Sequence, residues 1–413
     1  MLQPGATSPD PMPLSPHALS PDALLDDLAH PGELLVVQDL DGVCMELVHD
    51  PRQRRMDPAY LRAARRLEGQ FAVLTNGEHE GSRGVNRVVE AALAGQADPA
   101  AEGLYLPGLA AGGVQLQDRF ARVSHPGVSA GEIAFLAAVP EQLQRRLLER
   151  LPALLPRLGA ERRAALVEAA VLDNPLSPSL NLNGLFAAVE GDVGRQQDLQ
   201  QLALEVMGQL LERAAGAGLG DAFFLHLAPN LGSRDGREQL KPAGEAGTGT
   251  TDFQLMLRGA LKEVGLLVLL NQAIGRRSGT APLGAAFNVR TAPHDHPSLL
   301  ELARSAIPPA LMPRLVGVGD TITSVPAPGG GWLRGGSDRG FLTLLQELGE
   351  VFGTANRVVL VDSSGGAVDR PCHAGGDLAG LTDPQDPLRI DASLPGGPRQ
   401  YVALFQELAE RRS

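Results

Sequence analysis

Cysteines and long apolar runs are both scarce in this 413-residue sequence. Its two cysteines, Cys44 and Cys372, are too few for a disulfide framework or a cysteine-rich zinc site. No uninterrupted apolar run reaches the roughly 20 residues that a membrane-spanning helix needs. The N-terminus has no basic region followed by an apolar stretch, which a secretory signal would require. We therefore expect a soluble cytoplasmic protein without a membrane partner.

Positive charge is also in deficit. Lysine and arginine together number 36 against 48 acidic residues, which gives a formal net charge of −12. This balance argues against nucleic acid or an anionic membrane as the main partner. Lysine occurs only at Lys241 and Lys262. Because an ammonium differs from a guanidinium in shape and in pKa behaviour, each lysine is either a functional candidate or a product of surface drift.

Short apolar runs ahead of acids or turn residues indicate a parallel sheet. Strands are predicted over residues 34–37, 71–74, 315–319 and 358–361, with helices over 58–67 and 341–348. We expect a doubly wound α/β core formed by residues 26–78 and 242–413, with ligands beyond the carboxyl ends of its strands. Residues 1–25, rich in Pro, Ser and Gly, are predicted to form a disordered arm.

The middle of the chain has a different pattern. Residues 79–241 contain long helical patterns (133–155, 160–170 and 196–217) and a strand-like run at 223–227. This pattern predicts a separate α/β module inserted into the core as a cap. A Gly-rich stretch at 329–336 predicts a loop or a short hairpin.

Two aspartates follow the first predicted strand. Asp39 and Asp41 are spaced i, i+2, so both carboxylates can face one pocket. Carboxylates in different environments can divide the roles of nucleophile and proton donor, and Mg²⁺ would offset the charge of an attacked phosphate. A turn or a helix cap explains the same pair equally well.

The second predicted strand ends at Thr75-Asn76-Gly77. A hydroxyl and exposed backbone N–H groups there could bind phosphoryl oxygens, although Asn-Gly also suits a plain turn. His79 and Arg83 follow, and we expect them either to contact substrate from the hinge to the cap or to lie in a solvated helix start.

Lys262 begins a helical apolar pattern. A lysine is disfavoured by the dipole at a helix N-terminus unless it faces an anion. Asp320 follows a late strand and Asp338 comes after the Gly-rich stretch. Acids at the tips of neighbouring strands can converge on one cation.

The order Asp39/Asp41, Thr75, Lys262, Asp320 resembles the four motifs of the haloacid dehalogenase superfamily of phosphatases. The resemblance implies that Asp39 forms an aspartyl-phosphate and that Asp41 acts as general acid, then base. It also implies a Mg²⁺ held by the Asp39 side chain, the Asp41 carbonyl and Asp320. The superfamily often has a second acid close behind its late Asp, and whether Asp338 or Ser324 takes that place stays open.

Longer strings at residues 37–48, 74–79, 102–115, 249–254 and 317–321 resemble a narrower family, the cyanobacterial glucosylglycerol-phosphate phosphatases. This resemblance implies hydrolysis of glucosylglycerol phosphate to a compatible solute made under salt stress, with functional coupling to the synthase of that phosphate. The alternatives are a phosphatase for another sugar phosphate, such as sucrose phosphate, and a catalytically silent regulatory protein.

Overall fold

The computed structural model describes residues 18–234, 236–244, 247–373 and 375–413. The strands of these residues are β1 (Leu34–Gln38), β2 (Phe71–Leu74), β3 (Gly108–Ala110), β4 (Gln115–Gln117), β5 (Val123–Ser124), β6 (Val171–Leu172), β7 (Ser179–Asn181), β8 (Phe223–Ala228), β9 (Asn230–Arg234), β10 (Arg237–Leu240), β11 (Asp252–Leu257), β12 (Arg314–Gly319), β13 (Thr323–Pro326), β14 (Trp332–Gly335), β15 (Arg357–Val361) and β16 (Ala392–Leu394).

Helices cover both faces of the main sheet, and further helices pack on a second, smaller sheet. They are α1 (Pro21–Ala29), α2 (Pro58–Arg66), α3 (Val85–Leu93), α4 (Pro99–Glu102), α5 (Ala130–Ala137), α6 (Val139–Leu154), α7 (Ala160–Ala170), α8 (Asn183–Ala187), α9 (Val193–Gly216), α10 (Lys262–Ser278), α11 (His296–Ala306), α12 (Arg339–Phe352) and α13 (Gly397–Arg411). Among the described residues, no helix is long and apolar enough to cross a membrane.

The main sheet has the strand order β16-β15-β12-β1-β2-β3-β4-β5, parallel from β16 to β3 and antiparallel at its β4–β5 edge. Alternate residues of β1 enter different cores: Leu34 and Val36 on one face, Leu35 and Val37 on the other. Helices therefore cover both faces, and the predicted doubly wound α/β fold is confirmed. Asp39, Thr75 and Asp320 come directly after β1, β2 and β12, so they lie at one edge of the sheet.

A second sheet, with the order β6-β7-β11-β8, is antiparallel throughout. Helices α6, α7 and α9 pack on it. We refer to residues 130–257 as the small unit. In the chain they come between β5 and β12, which both belong to the main sheet. The small unit is therefore an insertion into the main fold.

The predicted boundaries of the insert, 79 and 241, were wrong at both ends. Strands β3 to β5, within residues 108–124, extend the main sheet, whereas β11 (252–257) is a central strand of the small one. Strands of two or three residues are too short to give a periodic apolar signal, which explains the first error. The second arose because β11 reaches the small sheet only through a long connection from β10.

The predicted disordered arm, residues 1–25, lies outside the described residues up to residue 17, and its remainder is ordered. Leu19 pairs with Ala392 of β16, and α1 begins at Pro21 behind the cap Ser20. Leu24 and Leu25 of α1 are buried in the main core. Ser20 and Pro21, which belong to this Pro- and Ser-rich composition, are the N-cap and the first residue of a helix.

Two further predictions changed in detail. The helical pattern at 133–155 forms two helices, α5 and α6, because Pro140 provides no backbone N–H and opens a new helix. The Gly-rich stretch at 329–336 forms the turn and second strand of the hairpin β13–β14, which lies between Asp320 and Asp338 in the chain.

Candidate active site

A buried lysine links two buried acids at the centre of the site. Lys262 Nζ donates to Asp39 Oδ2 at 2.5 Å and to Asp338 Oδ1 at 2.7 Å. Burial by itself would lower the pKa of this ammonium, but the Asp338 and Asp39 carboxylates outweigh that effect and raise it. Lys262 therefore stays cationic at the start of α10, where it faces anions as its unusual position suggested.

Three carboxylates lie close enough to share one cation. Ligand oxygens of Asp39, Asp320 and Asp338 lie within 4.8 Å of one another. Asp320 Oδ2 is buried without a hydrogen-bond partner, whereas its Oδ1 accepts from Thr321 Oγ1 at 2.9 Å. Burial, followed by repulsion between the acids, raises the pKa of Asp320 to about 8. An unpartnered oxygen in so anionic a cluster is well suited to a hard divalent cation.

Asp338 supports this cluster with both oxygens. Oδ1 binds Lys262, and Oδ2 accepts from the backbone N–H groups of Asp320 at 3.0 Å and Thr321 at 2.9 Å. Ser324, the other candidate for the second late acid's place, instead donates to Asp383 Oδ2 at 2.6 Å. The structure therefore brings Asp338 into the cluster and leaves Ser324 outside it.

Asp41 lies in a different environment from Asp39. Its side chain is 34% exposed and accepts from Arg54 Nη1 at 3.0 Å, whereas the Asp39 carboxylate is buried. Burial raises the pKa of Asp39 to about 6, against the opposing effect of Lys262. Both aspartates line one cavity, so they can take different chemical roles there.

The Thr75 turn also lines this cavity. The Thr75 hydroxyl accepts from the Gly77 N–H at 3.3 Å. Asn76 reaches across to the small unit, where its Nδ2 lies 2.8 Å from His226 Nε2 of β8. Glu238 binds the opposite ring nitrogen of His226 at 2.8 Å and, despite the opposing effect of burial, raises the pKa of the imidazole.

The two residues predicted beyond this turn have different positions. His79 as a substrate contact was wrong: it is fully buried and outside the cavity, its backbone N–H donates to Gln115 Oε1 at 2.6 Å, and burial lowers the pKa of its ring to about 4. Arg83 does line the cavity, but its guanidinium is bound to Asp173 of the small unit at 2.6 Å.

The small unit supplies the opposite wall of the cavity, whose volume is about 160 Å³. This wall is polar and mostly uncharged: it contains Asn174, Asn181, Asn183, Asp252 and Gln254. Asn181 Nδ2 donates to Asp252 Oδ1 at 2.7 Å, and Gln254 Oε1 is buried without a partner. Sequence reasoning missed this wall, although polar residues alternate along β11 at 252 and 254 and could have marked a polar face.

Arg370 was also missed. It lies in the long loop between β15 and β16 and lines the cavity. Asp252 and Asp320 both have pKa values raised by burial, and the Arg370 guanidinium partly offsets that rise. No local pattern in the sequence distinguishes this arginine from the others.

At the end of the parallel sheet the site thus combines a buried carboxylate bound to a lysine with an acid cluster that could hold a cation, an arrangement that suits chemistry on phosphate esters. The sequence profile of the glucosylglycerol-phosphate phosphatase family (Salt_tol_Pase) matches residues 33–409. The chain therefore belongs to this family, and it is a phosphatase. It is 47% identical over 408 residues to the glucosylglycerol-phosphate phosphatase of Synechocystis sp. (strain ATCC 27184 / PCC 6803 / Kazusa), covering 96% of this chain and 97% of that protein.

Two solved structures also resemble the chain. The trehalose-6-phosphate phosphatase C-terminal domain of C. albicans has a TM-score of 0.48 and 11% identity, with 97% of this chain and 99% of that chain covered. The trehalose synthase regulatory protein C-terminal domain of Candida albicans has a TM-score of 0.43 and 10% identity, with 94% and 98% covered.

Proposed function

We propose that this phosphatase hydrolyses glucosylglycerol phosphate, with Asp39 as the nucleophile. The observation that carries the proposal is the Asp39–Lys262–Asp338 contact beside the unpartnered Asp320 oxygen, in a cavity whose opposite wall is rich in amide side chains. The acid–lysine cluster is suited to phosphoryl transfer, and the amide-rich wall is suited to binding a hydroxyl-rich organic group.

In the proposed reaction, an Asp39 oxygen bonds to phosphorus as the bond to the ester oxygen breaks. Asp41 gives a proton to the departing alkoxide, which leaves as an alcohol. Asp41 then takes a proton from a water molecule that attacks the acyl phosphate, releasing phosphate and restoring Asp39. Lys262 and the Thr75 turn hold the phosphoryl oxygens.

A Mg²⁺ ion would be held by Asp39, the Asp41 backbone carbonyl and Asp320. When bound, it would offset the negative charge on the carboxylate and the phosphoryl group. Asp338 acts mainly through its partners, because both of its oxygens already bind Lys262 and backbone N–H groups.

The substrate assignment is supported by the cavity wall and by the named function of the 47%-identical relative. Amide side chains donate and accept hydrogen bonds in the way that sugar hydroxyls require. Family membership further supports a role for the product as a compatible solute under salt stress, a cytoplasmic location, and supply of the substrate by the glucosylglycerol-phosphate synthase.

The test is phosphate release by the purified protein from glucosylglycerol phosphate and sucrose phosphate, with and without Mg²⁺. We expect Mg²⁺-dependent release with kcat/KM at least about 10-fold higher for glucosylglycerol phosphate, and loss of nearly all activity in Asp39→Asn. Equal turnover of the two esters would contradict the substrate assignment. Full activity of Asp39→Asn would exclude the mechanism, and no release from either ester would favour the silent regulatory protein.

A further inference from the structure

The side chain of Arg54 is buried, and three hydrogen bonds hold its guanidinium in place. It follows the short 3₁₀ turn Pro51–Gln53 between β1 and α2, and its side chain is 6% exposed. Its Nε donates to the Pro51 carbonyl at 3.0 Å, and its Nη2 donates to the Arg83 carbonyl. These two backbone acceptors leave Nη1 to donate to Asp41 Oδ2 at 3.0 Å.

Asp41, by contrast, depends on this one contact. Within the described part of the chain, Arg54 is the only side chain that hydrogen-bonds the Asp41 carboxylate. A Cβ atom built on Gly77 would lie 3.7 Å from Thr75 Oγ1 and 3.9 Å from both Arg54 Nη1 and Asp41 Oδ2. The ion pair therefore lies beside the Thr75 hydroxyl, on the cavity side of the turn.

We propose that Arg54 is the positioning residue for the general acid and base. It keeps the Asp41 carboxylate in the cavity, where an otherwise mobile, one-third exposed side chain would also adopt solvated rotamers. The same guanidinium stabilises the carboxylate that Asp41 becomes after giving its proton to the leaving group. This inference rests on the proposed function of Asp41.

The position of Arg54 also depends on the small unit. The carbonyl of Arg83 accepts from Arg54, while the Arg83 guanidinium binds Asp173 at 2.6 Å and the Glu168 carbonyl at 3.2 Å. Arg83 thus connects Arg54 to α7 and to the loop after β6, which contributes Asn174 to the opposite cavity wall.

The experiment compares two leaving groups in Arg54→Met. A sugar alkoxide needs a proton to depart, whereas p-nitrophenolate does not. We expect phosphoryl-enzyme formation in a single turnover to slow about 100-fold with glucosylglycerol phosphate, with KM changed less than about threefold. The first-turnover burst of p-nitrophenol from p-nitrophenyl phosphate should stay within about threefold of wild type.

Three controls make the outcome decisive. Arg52→Met removes an exposed arginine of the same segment, paired with Asp50, and should leave both rates unchanged. Asp41→Asn should show the same leaving-group selectivity, and adding Arg54→Met to it should have little further effect, because both changes remove one function. Arg54→Lys, which keeps the charge without the planar fork, carries the same comparison if the methionine variant does not fold.

Equal slowing of both substrates, or additive effects of the two variants, would overturn the positioning role and leave Arg54 a structural or phosphate-binding residue. An unchanged rate on the sugar phosphate would overturn it as well. Wild-type protein that turns over neither ester would instead show that the proposed function has failed.

Discussion

Gly42 lies in the turn that follows β1, next to Asp320 of the acid cluster. Its φ of +77° lies in the left-handed region, and a Cβ there would come within 2.2 Å of Asp320 Oδ2. That oxygen is the one without a hydrogen-bond partner. The absent side chain is therefore what leaves room for Asp320 to turn toward a cation.

We predict that Gly42→Ala lowers phosphatase activity at least about 100-fold and weakens Mg²⁺ binding, because Asp320 must move. Gly69 is a matched control: its φ is +79°, and nothing lies within 4 Å of its added Cβ. Gly69→Ala should cost about 1 kcal/mol in the free energy of unfolding and leave activity unchanged. Mg²⁺ titrations and denaturant unfolding of both variants would test this, and equal activity loss in both would contradict it.

Gln254 lies on the wall of the cavity that faces the organic part of the substrate. Its buried Oε1 lacks a partner, so a substrate hydroxyl can donate to it. We predict that Gln254→Leu raises KM for glucosylglycerol phosphate about 10-fold, which corresponds to one lost hydrogen bond, and leaves turnover of p-nitrophenyl phosphate unchanged. Gln201→Leu, on the exposed surface of α9, is the control. An equal loss of activity on both substrates would show that Gln254 supports the fold and does not recognise the organic part of the substrate.

At the residue scale, the sequence was informative where a side chain directly follows a core strand or begins a long helix. Asp39, Thr75 and Asp320 could be placed together because parallel strands end at one edge, and Lys262 because the dipole disfavours it there. The His79 backbone N–H is held by Gln115 of β4, a strand of three residues that is too short to give a recognisable local pattern. Arg54 and Arg370 lie on irregular loops, where spacing predicts no contact.

The hairpin β13–β14 is the element that separates Asp320 from Asp338 in the chain. Asp383 anchors it: its carboxylate accepts from Ser324 Oγ at 2.6 Å and from Arg334 Nε at 2.7 Å. Burial by itself would raise the pKa of Asp383, but these donors outweigh it and lower the pKa to about 2. The hairpin also contacts β9 of the small unit, so its anchor holds two parts of the molecule.

We predict that Arg334→Met lowers the free energy of unfolding by about 2 kcal/mol at neutral pH, because a buried carboxylate loses its partner. A depressed pKa stabilises the protein above the unfolded value of 3.8, and this contribution disappears as the pH falls through about 2. The difference between variant and wild type should therefore shrink over that interval in denaturant titrations. Arg304→Met, which removes an exposed pair with Glu301, should change stability by less than about 0.5 kcal/mol at every pH.

Among the elements, the long core strands and their helices could be predicted because burial on both faces gives continuous apolar runs. The predicted strand at 71–74 matches β2, and the predicted helix at 160–170 matches α7. Strands β6 and β7 have two and three residues, and they form only because β11 and β8 pair beside them. That pairing is long-range, so no window of the sequence contains it.

At the scale of the whole molecule, the segment after β2 connects the core to the small unit. Within residues 76–83, Asn76 contacts His226, Arg83 binds Asp173, and Glu78 binds the loop before β7. The sequence suggested a hinge at this place. The contacts instead make it the segment that holds the two cavity walls together.

Glu78 gives this connection a pH dependence. Its Oε1 accepts from the backbone N–H groups of Leu176 and Ser177, both at 2.7 Å, and from Ser177 Oγ at 2.9 Å. Burial nevertheless outweighs these donors and raises the pKa of Glu78 from 4.5 to about 7. The folded protein therefore holds a proton that the unfolded chain releases, so this carboxyl reduces stability as the pH rises from 4.5 to 7.

A glutamine at position 78 does not titrate. We therefore predict that the free energy of unfolding of Glu78→Gln, relative to wild type, increases by up to about 3 kcal/mol between pH 4.5 and 7 and does not change further above pH 7. Denaturant titrations at half-unit pH steps would measure the difference, and Glu149→Gln on the exposed face of α6 should run parallel to wild type. Parallel curves for Glu78→Gln would mean that Glu78 ionises in the folded protein as it does in the unfolded chain. A difference that rises over this interval would show that one buried carboxyl weakens the connection between the core and the small unit as the pH increases from 4.5 to 7.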